Sequence, residues 1–147
     1  MTLSQKIQAD MVSALKDQSR QKLGALRMLK AALQNRKIAQ QKELSDEDIV
    51  TIVMSEIKKR NDAIVLYTQG GRPKLAEAER GEIAYLRAYL PVQMSEEELR
   101  KTVRDAIVKI GAESAKEKGK VMAMVMPLVK GRATGDAVSR ILGELLG

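Results

Sequence analysis

The stretch LPVQMSEEEL, residues 90–99, carries the clearest indication of how this chain folds. A proline disfavours helical backbone in the residue before it, so any helix that reaches Leu90 has to end there. Ser95 followed by Glu98 is a capping-box pattern, which is typical of the first turn of a new helix. The stretch therefore predicts a boundary between two helical parts of the chain. These parts are an N-terminal bundle, residues 1–90, and a C-terminal subdomain, residues 91–147.

Helical signals continue on both sides of this boundary. Ser45 with Asp48 forms a second capping box, and Ser114 begins a third in SAKE. The sequence GGRP, residues 70–73, ends one helix at glycine and places a proline in the first turn of the next. No segment alternates polar and apolar residues as a β-strand does. The sequence predicts an all-α, multihelical fold with about four helices before the boundary and three after it.

The apolar positions at helical spacing predict the inner faces of these helices. The first helix has an apolar face that includes Ile7, Val12 and Leu15, and the apolar residues of the third include Ile49 and Leu66. With three tyrosines and no Phe or Trp, the core has to be filled by aliphatic side chains and methionine. This composition is typical of helices that pack on helices.

The composition also limits the chemistry available to the chain. Histidine and cysteine are absent, so a Ser-His or Cys-His nucleophile cannot be assembled. Two acidic runs, at 46–48 and 96–98, lie in predicted first helical turns, where capping and the helix dipole explain them. We therefore expect no catalytic residues, no metal site and no cofactor.

The sequence contains no segment that indicates a membrane or export. The N-terminal residues place apolar side chains at helical spacing among polar ones. They lack the apolar core of a signal peptide. The longest apolar run, VMAMVMPLV at 121–129, is too short to span a bilayer. Together with the absence of cysteine, these features predict a cytoplasmic protein with no membrane partner.

The positive charge of the chain is concentrated near its start. The net charge is +7, and residues 1–42 contain nine Lys and Arg against only Asp10 and Asp17. This segment alone therefore accounts for the whole excess. A localised basic surface attracts polyanions, most commonly nucleic acid. An ordinary solvated face remains the alternative.

The second predicted helix, about residues 20–42, carries the clearest basic surface. Since successive residues turn by about 100°, four cations fall within an arc of about 100°. These cations are Arg20, Arg27, Lys30 and Lys37. The scarcity of aromatic rings argues against recognition of single strands by base stacking. The surface indicates contact with the phosphates and shape of a structured RNA, and nothing in the sequence indicates DNA.

The stretch KGRATG, residues 130–135, predicts a turn between two helices. A P-loop requires two glycines with four residues between them, followed by Lys and Ser or Thr, between a strand and a helix. Only three residues separate Gly131 from Gly135, and Asp136 follows. Here Gly131 is expected to cap the sixth helix and Gly135 to begin the seventh. The basic residues of the stretch flank a helix N-terminus, which attracts anions. Asp136 already places a negative charge there.

Pro127 lies inside the predicted sixth helix, where it removes one backbone hydrogen bond. A kink after Ala123 is expected. The nearby Met122, Met124 and Met126 fill the core or form a groove for a protein partner, and the sequence leaves both interpretations open.

Three segments taken together resemble the GatB/YqeY family. They are LRMLKAALQN (26–35), YLPVQMSEEELR (89–100) and GKVMAMVMPLVKGRATGDAVSRILGELL (119–146). The last is the most specific, because GKVM, the helical proline and KGRATG occur in it at fixed spacing. The resemblance covers about residues 3–146. The chain is similar to stand-alone YqeY-like proteins and to the C-terminal tail of the aminoacyl-tRNA amidotransferase B subunit.

The resemblance implies RNA contact rather than catalysis. In the amidotransferase, which amidates tRNA-bound Glu or Asp with glutamine as nitrogen donor, the helical tail engages the tRNA and both active sites lie outside it. The family label is carbon–nitrogen ligase activity with glutamine as amido donor. The positions that match the tail's motif become candidates for RNA contact, together with the cations of the second helix. They are Lys120, Lys130, Arg132 and Gly135.

Three functions follow from these observations. The first is a non-catalytic module that binds tRNA or another structured RNA. The second is an accessory component of tRNA-dependent amidation, with amidotransferase subunits as partners. The third is a protein–protein interaction module that uses the methionine-rich helix.

Overall fold

The computed structural model describes residues 1–147 and contains seven α-helices, a 3₁₀ turn and no strand. The prediction of an all-α fold is therefore confirmed. None of the helices combines the length and apolarity needed to cross a bilayer. The helices are α1 (Leu3–Lys16), α2 (Arg20–Gln40), α3 (Asp46–Gln69), α4 (Pro73–Arg87), α5 (Glu96–Ile110), α6 (Lys118–Val129) and α7 (Gly135–Leu146), and the 3₁₀ turn is Ala115–Glu117.

The chain forms two compact units, Met1–Leu90 and Pro91–Gly147. The first contains α1 to α4 and the second contains α5 to α7. The end of the first unit is held to α1 by Tyr89, whose hydroxyl donates a 2.6 Å hydrogen bond to Asp10 Oδ2. Burial first, and then Asp10, raises the pKa of Tyr89 above its ordinary value, so this hydroxyl stays a donor at neutral pH.

The core of the first unit is built from aliphatic side chains of all four helices. Leu26 and Leu29 of α2, Val53 of α3 and Leu86 of α4 are fully buried in it. Burial of each leucine contributes about 1.5–3 kcal/mol. The GGRP turn connects α3 to α4. Within this turn Gly71 adopts the left-handed backbone conformation with a φ of 70°. This glycine makes the sharp reversal possible.

Three residues expected on inner faces are exposed instead. Val12 and Leu15 of α1 are 43% and 59% exposed, and Leu66 of α3 is 68% exposed. The prediction was wrong for Val12 and Leu15 because both are turned by about 80° or more from the buried residues of α1. It was wrong for Leu66 because this residue lies beyond Arg60, the last buried residue of α3. In α1 the buried residues are Ile7 and Ala14.

The second unit has its own core of branched aliphatic residues. Val103 of α5, Val125 of α6 and Ile141 of α7 are fully buried there. The three methionines of α6 are half-buried and pack against this core, as the core-filling interpretation requires. These methionines are Met122, Met124 and Met126.

Two of the predicted capping serines begin helices. Ser45 Oγ accepts a hydrogen bond from the backbone N–H of Asp48, and the Asp48 carboxylate accepts one from the backbone N–H of Ser45. These bonds hold the pKa of Asp48 below its ordinary value. Ser95 Oγ accepts from the N–H of Glu98. Local sequence was sufficient to locate both helix starts.

The third predicted cap is wrong. Ser114 makes no side-chain capping hydrogen bond, and it precedes a single 3₁₀ turn rather than an α-helix. The α6 helix begins later, at Lys118. The Glu117 carboxylate, expected to bond back to Ser114, instead accepts a hydrogen bond from the backbone N–H of Glu113 at 2.6 Å.

Candidate nucleic-acid interface

In the first unit, Arg20 and Arg27 of the basic face of α2 lie opposite the residues that α2 buries, whereas Lys30 and Lys37 lie at the edge of the buried side. The helix buries Ala25, Leu26, Leu29 and Leu33, which leaves the arc around Arg20 and Arg27 to solvent. Both arginines are exposed, and neither forms an ion pair. They lie seven residues apart, about 10 Å along the helix axis. Their guanidinium groups are available to an external anion.

The two lysines of this arc are already engaged. Lys30 is half-buried, and its Nζ donates a 3.3 Å hydrogen bond to Gln8 Oε1 of α1. The Nζ atom of Lys37 lies 2.8 Å from Glu43 Oε1, and both side chains are at least half exposed. An exposed pair of this kind contributes only about 0–1 kcal/mol. Lys37 can therefore exchange Glu43 for a phosphate at little cost.

The candidates in the second unit are not brought together into one cluster. Lys120 is exposed near the start of α6, and Lys130 is exposed at the C-cap of the same helix. Ten residues of helix place them about 15 Å apart along its axis. Gly135 is the first residue of α7, and a Cβ at this position would lie 3.8 Å from Met126 Cε. Lys120 therefore lies away from the turn that contains Lys130 and Gly135.

Arg132 holds two segments of the second unit together. Its Nε donates a 2.8 Å hydrogen bond to the carbonyl oxygen of Val92, and its Nη2 lies 3.4 Å from Glu98 Oε2. In return, the backbone N–H of Met94 donates to the carbonyl oxygen of Arg132 at 3.0 Å. Two of the five guanidinium N–H groups of Arg132 are thus used within the second unit. Arg132 is a structural residue first and a phosphate ligand only with its remaining donors.

Gln93 strengthens the same connection from the other side. Its Nε2 donates to the carbonyl oxygens of Pro91 and Gly131 at 2.9 and 2.8 Å. Two of the segments that carry the family resemblance, YLPVQMSEEELR and KGRATG, are therefore hydrogen-bonded to each other. The sequence contains both segments but gives no indication that they touch.

The turn at KGRATG is a helix-to-helix connection, as its glycines predict. Gly131 follows the C-cap of α6 with a φ of 78°. The start of α7 is capped by Thr134, whose Oγ1 accepts from the N–H of Ala137. This cap escaped the sequence analysis, which assigned the helix start to glycine alone. With Asp136 in the first turn as well, the chain itself occupies the anion-attracting end of α7.

A family model described as Yqey-like protein matches residues 4–146. The chain belongs to the YqeY-like family. The family prediction is thereby confirmed for the stand-alone YqeY-like proteins, and the similarity to the amidotransferase tail stays a prediction. No curated protein matches the chain.

The YqeY-like chain also contains a buried ionic cluster that the sequence analysis missed. Arg60 of α3 is only 4% exposed. Its Nη1 donates to the carbonyl and carboxylate oxygens of Glu56, and its Nε lies 3.3 Å from Glu82 Oε2 and 4.0 Å from Glu79 Oε2. The i, i+4 spacing of Glu56 and Arg60 was visible in the sequence, but such pairs are usually exposed. Their burial depends on α4, which supplies the other two carboxylates.

Burial changes the titration of this cluster. Desolvation, followed by the neighbouring carboxylate of Glu82, raises the pKa of Glu79, while Arg60 acts in the opposite direction. A proton on Glu79 relieves its repulsion with Glu82. The cluster therefore holds α3 to α4, and Glu79 makes that attachment sensitive to pH.

A second, exposed ion network joins α5 to α7. Arg140 lies 2.8 Å from Glu96 and 3.2 Å from Glu144, and Arg100 pairs with the same two glutamates. Hydrogen bonds from Arg140 and Arg100 hold the pKa of Glu96 and of Glu144, respectively, below the ordinary value. Arg100 and Arg140 are therefore already paired with glutamates of the second unit. No group of three or more Asp and Glu side chains in the structure is arranged to hold a metal ion.

Proposed function

We propose that this YqeY-like protein is a non-catalytic module that binds structured RNA, with tRNA as the preferred class. The observation that carries the proposal is the pair of exposed arginines on α2, Arg20 and Arg27, which have no carboxylate partner. They lie in the segment that accounts for the whole net charge of +7. A helix of 21 residues is about 32 Å long, which is enough to follow several phosphates of an RNA backbone.

The primary contact is assigned to α2 rather than to the KGRATG turn. Arg132 donates to Val92 and lies beside Glu98, so a phosphate would have to compete with bonds that fold the second unit. Arg20 and Arg27 make no comparable internal bonds that an anion would have to replace. Lys30 and Lys37 extend the same face, and Lys120 and Lys130 add charge to the second unit.

The proposal includes an accessory role in tRNA-dependent amidation. It rests on the predicted resemblance of residues 119–146 to the amidotransferase tail. In this role the protein would present tRNA to partner subunits that supply the glutamine amidase and ATP-dependent sites. Co-purification with such subunits, and faster amidation when the protein is added to them, are the expected results. Amidation by the isolated chain would contradict a non-catalytic function.

The test of RNA binding is a fluorescence titration of the purified protein with tRNA and with an unstructured RNA of equal length, at several salt concentrations. The test variant is Arg20→Glu/Arg27→Glu. The matched control is Arg72→Glu/Lys74→Glu, which makes the same change in net charge at two exposed residues of the same unit. Each phosphate contact contributes about 0.7–0.9 to the slope of log K against log salt.

The wild-type protein is expected to prefer tRNA and to lose affinity steeply as salt rises. The α2 variant should weaken binding and reduce the slope by about 1.4–1.8, whereas the control should retain most of the affinity and most of the slope. Equal losses in the two variants would show that only net charge matters. No binding by the wild type, even at low salt, would overturn the proposal.

A further inference from the structure

A groove of about 620 Å³ lies beside the basic face of α2, between α1 and α2. Its floor is apolar and includes Ile7, Leu33 and Ile49, which are buried, and Leu44, which is half-buried. The volume falls within the range of about 300–1,000 Å³ that is typical of pockets for small ligands. The groove is thus large enough for a nucleoside and lies entirely within the first unit.

The rim of the groove is rich in amide side chains. Gln8 and Gln34 lie on opposite walls, on α1 and α2. Gln34 is exposed and makes no hydrogen bond within the protein, whereas Gln8 accepts one from Lys30. An amide carries both an acceptor oxygen and two donor hydrogens. This combination matches the mixed donor and acceptor edge of a nucleobase, which RNA-binding proteins read when the base is unpaired.

Two lysines place positive charge on the same rim. Lys30 and Lys37 both line the groove and lie about 10 Å apart along α2. Glu43, which also lines it, pairs with Lys37 in an exposed contact of 2.8 Å. A phosphate that displaces Glu43 would pair with Lys37, and Lys30 adds positive charge to the same rim two helical turns away. The groove therefore combines an apolar floor, amide hydrogen-bonding groups and cations, as a nucleotide requires.

We infer that the α1–α2 groove receives one unpaired nucleotide of a structured RNA, with its base on the apolar floor and its phosphate at the lysine rim. This inference rests on the proposed function and adds the substrate feature that the site selects. Recognition by amides and aliphatic side chains does not need aromatic stacking. A fully paired helix cannot use the groove, because its bases are held in the stack.

The experiment compares two RNA hairpins that differ by one unpaired adenosine in the stem, with binding measured by fluorescence anisotropy. Ala9 is exposed and lines the groove, so Ala9→Leu narrows the groove without changing charge. Ala84→Leu is the matched control, since Ala84 is exposed in α4 and does not line the groove. A second variant, Gln34→Ala, removes an amide with no internal partner. Circular dichroism verifies the fold of each variant.

The wild type and Ala84→Leu are expected to bind the hairpin with the unpaired adenosine about tenfold more tightly than the paired hairpin. In Ala9→Leu and Gln34→Ala this preference should fall towards one, while salt-sensitive binding to both hairpins persists. Equal binding of the two hairpins by the wild type would overturn the groove inference and leave RNA binding by α2 intact. A preference that survives in both groove variants would also overturn it. Absence of binding to either hairpin would overturn both proposals.

Discussion

Arg132 donates a hydrogen bond from Nε to the main-chain carbonyl oxygen of Val92, at a distance of 2.8 Å and a separation of 40 positions in the chain. This bond fastens the segment that enters α5 to the turn that leaves α6. The bond changes the interpretation of KGRATG. From the sequence alone, the arginine of this stretch resembles a phosphate ligand. In the folded unit this side chain is first a connection between two loops.

Replacement of Arg132 by alanine should loosen this connection. We expect Arg132→Ala to destabilise the second unit by about 0.5–1.5 kcal/mol, because the carbonyl oxygen of Val92 loses its hydrogen bond from the guanidinium group. Amide hydrogen exchange of residues 93–99 should accelerate accordingly. Arg104→Ala provides the control, since Arg104 is exposed on α5 and forms no ion pair. Similar exchange in both variants would contradict the structural role.

The two capping serines of the second unit should respond differently to alanine. Ser95 Oγ accepts from the N–H of Glu98, so Ser95→Ala should cost about 1 kcal/mol in the free energy of unfolding. Ser114 makes no such bond, and Ser114→Ala should change stability by less than about 0.5 kcal/mol. Urea unfolding of both variants measures the difference. A loss in Ser114→Ala as large as in Ser95→Ala would mean that the predicted third capping box forms after all.

Because of the buried cluster, substitution of Arg60 should lower the free energy of unfolding more than substitution of any other charged residue of the first unit. Arg60→Ala leaves Glu56, which is only 7% exposed, without its buried partner. We expect a loss of about 3–5 kcal/mol. The double variant Arg60→Met/Glu56→Leu should lose less, because Glu56, the most buried of the three carboxylates, is then removed together with Arg60. Glu79 and Glu82 lose Arg60 in both variants. Unfolding in urea, compared with the wild type, measures both effects.

An exposed pair supplies the control for this experiment. Arg80 and Glu77 of α4 lie 2.6 Å apart with both side chains at least half exposed. Arg80→Ala should therefore cost less than about 1 kcal/mol. If Arg60→Ala cost no more than Arg80→Ala, the buried cluster would have no special part in holding α3 to α4.

The raised pKa of Glu79 predicts a pH dependence of stability. The folded state keeps this carboxyl protonated to a higher pH than the unfolded chain does. Its contribution to stability is therefore fully present below the unfolded pKa and is lost as the pH rises through the folded pKa. Glu79→Gln resembles the protonated carboxyl at every pH, so this pH dependence of the free energy of unfolding should disappear. Relative to the wild type, the variant should therefore be more stable at neutral pH. Urea unfolding across mildly acidic to neutral pH measures it.

The comparison with Glu79→Gln is needed because other carboxyls act in the opposite direction. The pKa of Asp48, Glu96 and Glu144 is lowered in the folded state, so their contributions are lost as the pH falls. These groups are present in both proteins and cancel in the difference. A difference between wild type and variant that does not change with pH would contradict the assignment to Glu79.

The family and the helical architecture were accessible from sequence because their signals are local. Ser45 and Ser95 bond to residues three positions away, and Gly131 ends a helix through its own backbone conformation. Spacing alone also placed Arg20 and Arg27 on one side of α2. For the candidate site, however, spacing could not distinguish these free arginines from Lys30, which α1 engages through Gln8.

The sequence by itself determined that this protein is helical, where most helices begin and end, and to which family it belongs, since caps, periodicity and motifs act within a few residues. Only the tertiary structure decided which charges are available. Arg60 is buried because α4 surrounds it with glutamates, Arg132 is engaged because Val92 lies beside it, and Ser114 does not cap a helix because the chain forms a 3₁₀ turn there. The first two outcomes depend on residues far apart in the chain, and the third on a choice between two local geometries. Sequence spacing specifies neither a distant partner nor the energy difference between those geometries.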